Sequence, residues 1–474
     1  MSKLQSLRLL PILHCVALFA VFQPALVRAG PSISATSVSV KEEAFKPIIT
    51  RSVAANRIAE IPSYTHELGN DVNWLEFGLE SRTRYEYRWD DYGSLDLLTD
   101  DALVTRNLLY FGLKHVLDPF RLVAEMEDSR RFMSDRIDNP SLEDHWEPLQ
   151  AYGQLYFDDV FGTAPLSLSF GRMAFDAVDR RLISRNRNRN TTNAFDGLRL
   201  RLGDEVAPWE VDLFATRPVE RTLGGIDSLD KSSGDAMFYG ITGYWRKWSP
   251  NIVLEPYWLW LDQDQFLGLP LSKNLHTFGL HAYGQWGSKK AWDYDLSVAG
   301  QVGSAQELDQ RAWAAHVETG YTFANAWKPR LALWLNYATG DRDPDDGSNQ
   351  RFDPLFGASY AFYGYTSYFS WQNTINPALR LSFAPSKSIK CEICHRGIWL
   401  DSANDVWGKA ARRDKTGGSG SYVGQETDAR IGWQVCKNFD IDIAYAHFFP
   451  GSFVEQSGAS PQSDFVQIAA TIRF

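Results

Sequence analysis

Several things are scarce in this chain, and each scarcity removes a class of protein. Four cysteines among 474 residues are too few for a fold built on disulfides. Beyond the first 30 residues no stretch is long and apolar enough to cross a bilayer as a helix. Positive charge is outweighed, with a formal charge of −10, which argues against nucleic acid as the main partner. No Gly-Lys-Ser/Thr phosphate-binding loop is present, so no nucleotide drives the protein directly. No histidine sits in the context of a serine or cysteine nucleophile: His281, His316 and His447 each read as lone strand residues, and an enzyme is not expected.

What is present is aromatic and alternating. The chain carries 17 Trp, 20 Tyr and 28 Phe, although only 44% of it is hydrophobic. Residues 1–29 read as a secretory signal: Lys3 and Arg8 supply the positive start, Leu9 to Phe22 the apolar segment, and Val27-Arg28-Ala29 a small-residue cleavage site. Residues 30–72 show no clear alternation and are expected to form a periplasmic extension, with a short helix near 51–60. From Trp74 onward the period is two. In "NWLEFGLESRTRYEYRWDD" (73–91), Leu75, Phe77 and Leu79 alternate with Glu76, Glu80, Arg82 and Arg84. Leu331, Leu333 and Leu335 alternate with Arg330, Ala332 and Asn336, and Ile431, Trp433 and Val435 with Arg430, Gly432 and Gln434.

A strand oily on one face and ionic on the other suits a wall with lipid outside and water inside. Hydrocarbon cannot satisfy an open sheet edge, so such a wall must close. The expected fold over 73–474 is therefore an all-β, transmembrane, antiparallel up-and-down barrel of about 18 strands, an even number as bacterial outer-membrane barrels have. The connections support this. Short turns such as "LDPF", "GSKK" and "CKNF" follow even strands. Longer polar segments at 131–146, 175–193, 218–234, 340–370, 401–421 and 450–463 follow most odd ones. That asymmetry predicts long extracellular loops, short periplasmic turns and both termini in the periplasm. The closing "DFVQIAATIRF" puts Val466, Ile468, Ala470, Ile472 and Phe474 on one face, the pattern read by barrel-assembly machinery. Outer-membrane lipid and lipopolysaccharide follow as surroundings, and a monomer is expected.

The order of several motifs resembles the alginate-export family of outer-membrane barrels. These are Gly78-x-Glu80-x-Arg82-x-Arg84-Tyr85-Glu86; "FGR" at 170–172, "DRRLI" at 179–183, Asn193 and "FDGLRL" at 195–200; "YATGDRDPDDG" at 337–347, "RFDPLF" at 351–356, "FYGY" at 362–365 and "WQN" at 371–373; and "VGQETD" at 423–428, "HFFPGSF" at 447–453 and "DFV" at 464–466. The resemblance implies an 18-stranded barrel with a charged, arginine-bearing lumen that secretes an anionic polysaccharide, together with periplasmic synthesis or export partners. Tyr360 and Ser367 stand where the family often has His and Asp, and the cysteines near Ile389 are foreign to the pattern.

The densest charge is "DRRLISRNRNRN", with Arg180, Arg181, Arg185, Arg187 and Arg189 in ten residues. A guanidinium pairs a carboxylate in a fork and keeps its charge, so a lumen ladder would ease a polyuronate through. A solvated extracellular loop, or one binding lipopolysaccharide phosphates, is the alternative. Arg82, Arg84, Arg172, Arg199 and Arg201 lie on strands and, with Asp196, Glu80 and Glu125, complete the expected pore lining. They either touch cargo or cross-link the wall. Asp341, Arg342, Asp343 and Asp353 mark a candidate gating loop. "CEICH" (391–395) has the c-type haem spacing, but in a strand Cys391 and Cys394 point to opposite faces. Pairing of Cys394 with Cys436 stays open, and no cofactor or metal is expected. The reading is a channel for an anionic polysaccharide or small anionic solute, against a general small-solute porin or a non-conducting adhesion barrel.

Overall fold

The architecture comes from a computed structural model that describes residues 65–67 and 72–474, except 95, 161–163, 205–206, 224–227, 266–268 and 344. The expected signal segment 1–29 and the expected helix near 51–60 lie outside the described residues.

Eighteen long strands form the wall. They are β1 (Leu75–Trp89), β2 (Asp100–Leu117), β3 (Phe120–Phe132), β4 (Asp144–Val160), β5 (Ala164–Met173), β6 (Phe195–Leu202), β7 (Trp209–Glu220), β8 (Ala236–Trp245) and β9 (Val253–Gln263). The second half is β10 (Lys273–Trp286), β11 (Trp292–Ala305), β12 (Leu308–Thr322), β13 (Arg330–Ala338), β14 (Thr374–Phe383), β15 (Ile389–Trp399), β16 (Tyr422–Cys436), β17 (Phe439–Pro450) and β18 (Ser463–Arg473). Each pairs antiparallel with the next, and β18 returns to β1 from Glu80↔Arg473 to Trp89↔Asp464, which closes the barrel. Closure gives every wall strand two neighbours, so the ladder satisfies the backbone that lipid cannot.

The seam has a notch. β18 stops at Arg473, and Phe474 and Leu79 exchange backbone hydrogen bonds of 2.8 and 2.9 Å. Beyond that point Thr65–Glu67 pairs with Gly78–Glu76 on the same edge of β1. The connections obey the parity expected. Residues 174–194, 339–373, 400–421 and 451–462 follow odd strands, while residues 118–119, 287–291, 384–388 and 437–438 follow even ones. One odd connection departs: β11 and β12 are joined by Gln306 and Glu307 alone.

The alternation fixes which side chains meet lipid. On β13, Leu331, Leu333 and Leu335 are exposed on the outer face, while Arg330, Ala332, Trp334 and Asn336 are buried within. Outer rings also stack along the wall, as Trp286 on Trp292 with centroids 5.7 Å apart and Trp327 on Phe383 at 5.8 Å. The main apolar core is elsewhere, inside the loop end of the barrel. There Phe175, Phe195, Phe214, Phe238, Trp371 and Phe448 pack with the long loops.

The two-faced wall makes a direct prediction. Leu333 is 60% exposed on the lipid side. Leu333→Arg should destabilise the barrel by about 2–4 kcal/mol if the site lies near the bilayer midplane. Denaturant unfolding in lipid vesicles measures this, and unchanged stability would contradict the facing assigned to β13.

Candidate functional site

The inner wall is a belt of ion pairs between neighbouring strands. Arg199 forks onto Asp212, with Nε–Oδ1 at 3.0 Å and Nη2–Oδ2 at 2.6 Å. Arg201 and Arg246 share Glu210. Arg330 binds Asp293 and Glu318, and Arg380 joins Glu318 (2.8 Å) to Glu392 (3.4 Å). Arg396 pairs with Asp428 and Arg430 with Asp442. Arg473 and Arg106 both reach Glu80 at 2.9 Å, and His281 lies between Glu255 and Asp295. Period-two alternation places these groups on one face. Gly320 leaves room for one of them, since a Cβ there would lie 2.3 Å from the Arg330 guanidinium. Charges taken from water must be paired to persist, and on this wall they are. Arg199, Arg201 and Glu80 thus face inward, but each has its charge held by a partner on a neighbouring strand.

The arginine-rich segment does not project from the barrel. Residues 174–194 leave β5, turn inward and lie against β1–β3. Three wall arginines bind its main chain. Arg82 donates from Nη1 to the Arg187 carbonyl (2.7 Å) and from Nη2 to the Arg189 carbonyl (3.1 Å), Arg106 donates to the Arg187 carbonyl (3.0 Å), and Arg84 donates to the Asn188 carbonyl. Asn190 donates to the carbonyls of Thr105 (3.0 Å) and Leu142 (2.9 Å), and Ser129 donates to the Asn190 carbonyl (2.7 Å). Arg185 is buried on Glu125, at 2.9 and 3.1 Å. Arg181 is buried beside Asp179 and under the Phe362 ring, at a cavity of about 20 Å³ shared with Asp295, His316 and Glu318. Arg180 is half-buried, Arg187 is exposed beside Asp176 (3.3 Å), and Arg189 donates to the Thr191 carbonyl and to Asn193 Oδ1.

A second loop, 339–373, meets the first across the interior. Ile183 and Phe356 form a parallel bridge, with Ser184 N–H donating to the Phe356 carbonyl (3.1 Å) and Phe356 N–H to the Leu182 carbonyl (2.9 Å). Phe356 wedges against Phe195 and Phe238, with centroids at 5.2 and 5.0 Å. Farther on, Tyr365 N–H donates to Glu426 (2.9 Å), its hydroxyl to Glu392 (2.9 Å), Thr366 Oγ1 to Glu426, and Arg88 to the Thr366 carbonyl (3.0 Å). This dock requires glycine at 364, where φ is +122° and a Cβ would fall 2.1 Å from the Glu426 carboxylate. The two loops and the aromatic core therefore span the barrel from β1–β3 to β16. Asp353 belongs to this inner part and accepts from Lys273 Nζ at 2.6 Å. Asp341, Arg342 and Asp343 do not. Asp341 is buried at the rim, its N–H on Asp405, while Arg342 and Asp343 are exposed.

Two expected pore residues face the other way. Arg172 and Asp196 are register partners, and they share the outer face with Phe170 and Leu198, opposite Met173 and Phe195 in the interior core. Arg172 binds Asp196 in a fork (2.9 and 3.1 Å) and Glu147 (2.6 Å). The reason is the period of two: a residue two positions from a lipid-facing Phe or Leu shares its face. The same rule separates the cysteines. Cys391 lies on the outward face of β15 and Cys394 is buried inside beside Arg396, so the two thiols of "CEICH" cannot serve one haem from one side. Cys394 lies opposite Asp428, far along β16 from Cys436, and the three cysteines among the described residues are free, so the Cys394–Cys436 pairing is not formed. Several inner cations were not anticipated as site residues: Arg246, Arg330, Arg380, Arg396, Arg430 and Arg473 in the belt, and Arg106, Arg221 and Lys409 about the inner loops. For Arg106 a signal existed, because Leu103, Leu109 and Phe111 occupy the opposite, lipid-facing side of β2. For Arg221 and Lys409, which lie in loops, there was none.

The family model for alginate export matches residues 73–466. No curated protein matches the chain in sequence. Similar solved structures include three Pseudomonas aeruginosa proteins. OccD3 (OpdP) is 11% identical with a TM-score of 0.58, over 88% of this chain and 97% of that one. OpdQ is 12% identical with a TM-score of 0.57, over 84% and 98%. The outer membrane protein OprD is 10% identical with a TM-score of 0.55, over 84% and 93%. At such identities the shared property is the fold.

The inner loop's anchoring can be tested. Replacing both Arg82 and Arg106 by alanine should free residues 186–190, read as faster proteolysis there and noisier single-channel current, while heat-modifiable migration of the folded barrel persists. Acid offers a second handle. Burial would raise the Asp176 carboxyl, but Arg187, Arg180 and Arg185 hold it below the ordinary aspartate range. A carboxylate lowered on folding contributes stability that is complete above its unfolded pKa, about 3.9, and is lost as pH falls through the lower folded value. Loop protection should therefore survive to about pH 4 and fail below it. Asp176→Asn should remove that acid step from a proteolysis–pH profile.

Proposed function

Because the chain belongs to the alginate-export family, we propose that this outer-membrane channel passes an anionic polymer, an alginate-like polyuronate, past the cations of its inner loops. One observation carries the reading: most of the wall's arginines fork onto carboxylates of neighbouring strands, whereas Arg180 and Arg189 of the inner loop make no ion pair among the described residues. Arg180 lies over the Phe362 ring, and Arg189 holds the Thr191 carbonyl and Asn193 Oδ1. Lys409, exposed on the loop after β15, stands in the field of Arg189. Burial, with Arg187 and Arg181 nearby, lowers the pKa of Arg180, and burial with Arg221 nearby lowers that of Arg189. Crowding by protein and by Arg189 does the same to Lys409. A passage edged by unmatched cations favours carboxylates, and several modest contacts let a chain of them slide where one tight contact would trap it.

In this reading Arg180, Arg187 and Arg189 meet cargo, Arg82, Arg84 and Arg106 position the loop that presents them, and the 350–373 half of the second loop moves to admit a polymer. The union of the two loops across the interior favours a second reading, a pore for small anions that needs no such movement.

Planar-bilayer recordings under a salt gradient separate these. The channel should select anions, and Arg180, Arg187 and Arg189 changed together to Gln should lose that selectivity. Oligouronates, but not neutral oligosaccharides of equal length, should block the current of the unaltered protein. Cation selectivity, or a triple variant indistinguishable from the original, would remove the proposal. Anion selectivity without oligouronate block would favour the small-solute pore.

A further inference from the structure

A separate, smaller cavity of about 10 Å³ lies at the loop end of the wall, where four carboxylates (Glu127, Asp144, Glu147 and Asp230) face two guanidiniums (Arg172 and Arg221). Negative charge is in excess there, and most of it is already engaged. Glu127 accepts from Thr192 N (3.2 Å) and Oγ1 (2.5 Å). Glu147 accepts from Arg172 (2.6 Å) and from Asp230 N–H (3.1 Å), and Asp230 accepts from Thr222 N–H (2.7 Å). The arginines are engaged too, Arg172 by its fork onto Asp196 and Arg221 by backbone carbonyls. Asp144 is the exception. It is only 5% exposed, lines the cavity, and makes no side-chain hydrogen bond or ion pair among the described residues. A buried carboxylate beside two others, with no donor of its own, calls for a positive partner from outside the chain.

The geometry suits one kind of partner. Ligand oxygens of Asp144, Glu147 and Asp230 lie within 4.8 Å of one another. Oxygens across a calcium ion, each at about 2.3–2.6 Å, are separated by about that span. Magnesium holds its waters and demands a near-octahedral shell, which a cavity this small does not accommodate. We propose that Asp144, Glu147 and Asp230 bind one calcium ion. The ion fastens the 221–235 loop, through Asp230, to the start of β4. Glu127 and Arg221, both bound to Thr192, carry that restraint to the end of the arginine loop.

The test uses the full folded chain in detergent after EDTA treatment, titrated calorimetrically with calcium chloride, alongside limited proteolysis of residues 221–235. One saturable site is expected, and calcium should slow cleavage of that loop. Asp144→Asn should abolish both effects with far-UV circular dichroism and heat-modifiable migration unchanged. Should that variant fail to fold, Asp230→Asn gives the same readout. No saturable uptake by the unaltered protein, or equal uptake by a folded variant, overturns the proposal. Neither readout involves cargo, so the outcome is independent of the transport reading.

Discussion

The hydrocarbon around this protein offers its backbone no hydrogen-bond partner, and everything else in the structure answers to that. A strand in lipid must be paired on both sides, so the wall must close, and a closed antiparallel wall sends alternate residues outward and inward. Outside, leucines and aromatic rings are the acceptable occupants. Inside, charge is allowed but crowded, and the belt from Arg199–Asp212 round to Arg473–Glu80 shows how crowding is resolved. Acid and base alternate around the wall, each within reach of the neighbouring strand.

A matched wall leaves the electrostatic character of the interior to the loops. Residues 174–194 and 339–373 enter the barrel, join through Ile183 and Phe356, and build an aromatic core where an empty cylinder would otherwise hold water. The core makes this end rigid in the way a soluble domain is rigid, by packing. The dock of Tyr365 and Thr366 on Glu426 adds hydrogen bonds to a smaller cluster in which Tyr365 packs with Ala361, Ala444, Ala446 and Phe465. The second loop is thus held at both ends, by the larger aromatic core near Phe195 and Phe238 and by the smaller cluster and its hydrogen bonds near Glu426.

Much of the fold was legible in the sequence because its signal is local. Leu331, Leu333 and Leu335 declare their face without reference to anything distant, and the parity of the connections follows from closure. The short Gln306–Glu307 hairpin shows the limit of that rule, since parity constrains the side on which a loop lies and not its length. Arg172 and Asp196 show a different failure. Their neighbours Phe170 and Leu198 assign them outward, whereas the general cost of charge in lipid favours the lumen; near the loop end the fork and Glu147 satisfy Arg172 on the outer face. The interior was hidden for a physical reason. Arg82 meets the carbonyl of Arg187, and Arg88 that of Thr366, across 105 and 278 residues. Contacts to main-chain oxygen leave no trace in residue type. That "DRRLISRNRNRN" enters the lumen depends on such contacts.

The same anonymity of the carbonyl group has an evolutionary consequence. Arg82, Arg84 and Arg106 grip oxygens that every amino acid carries, so the seat of residues 187–189 does not depend on which side chains stand there. Mutation can therefore rewrite what that stretch displays while its attachment stays constant, and lineages can diversify the chemistry at the throat of the barrel without having to reinvent the barrel.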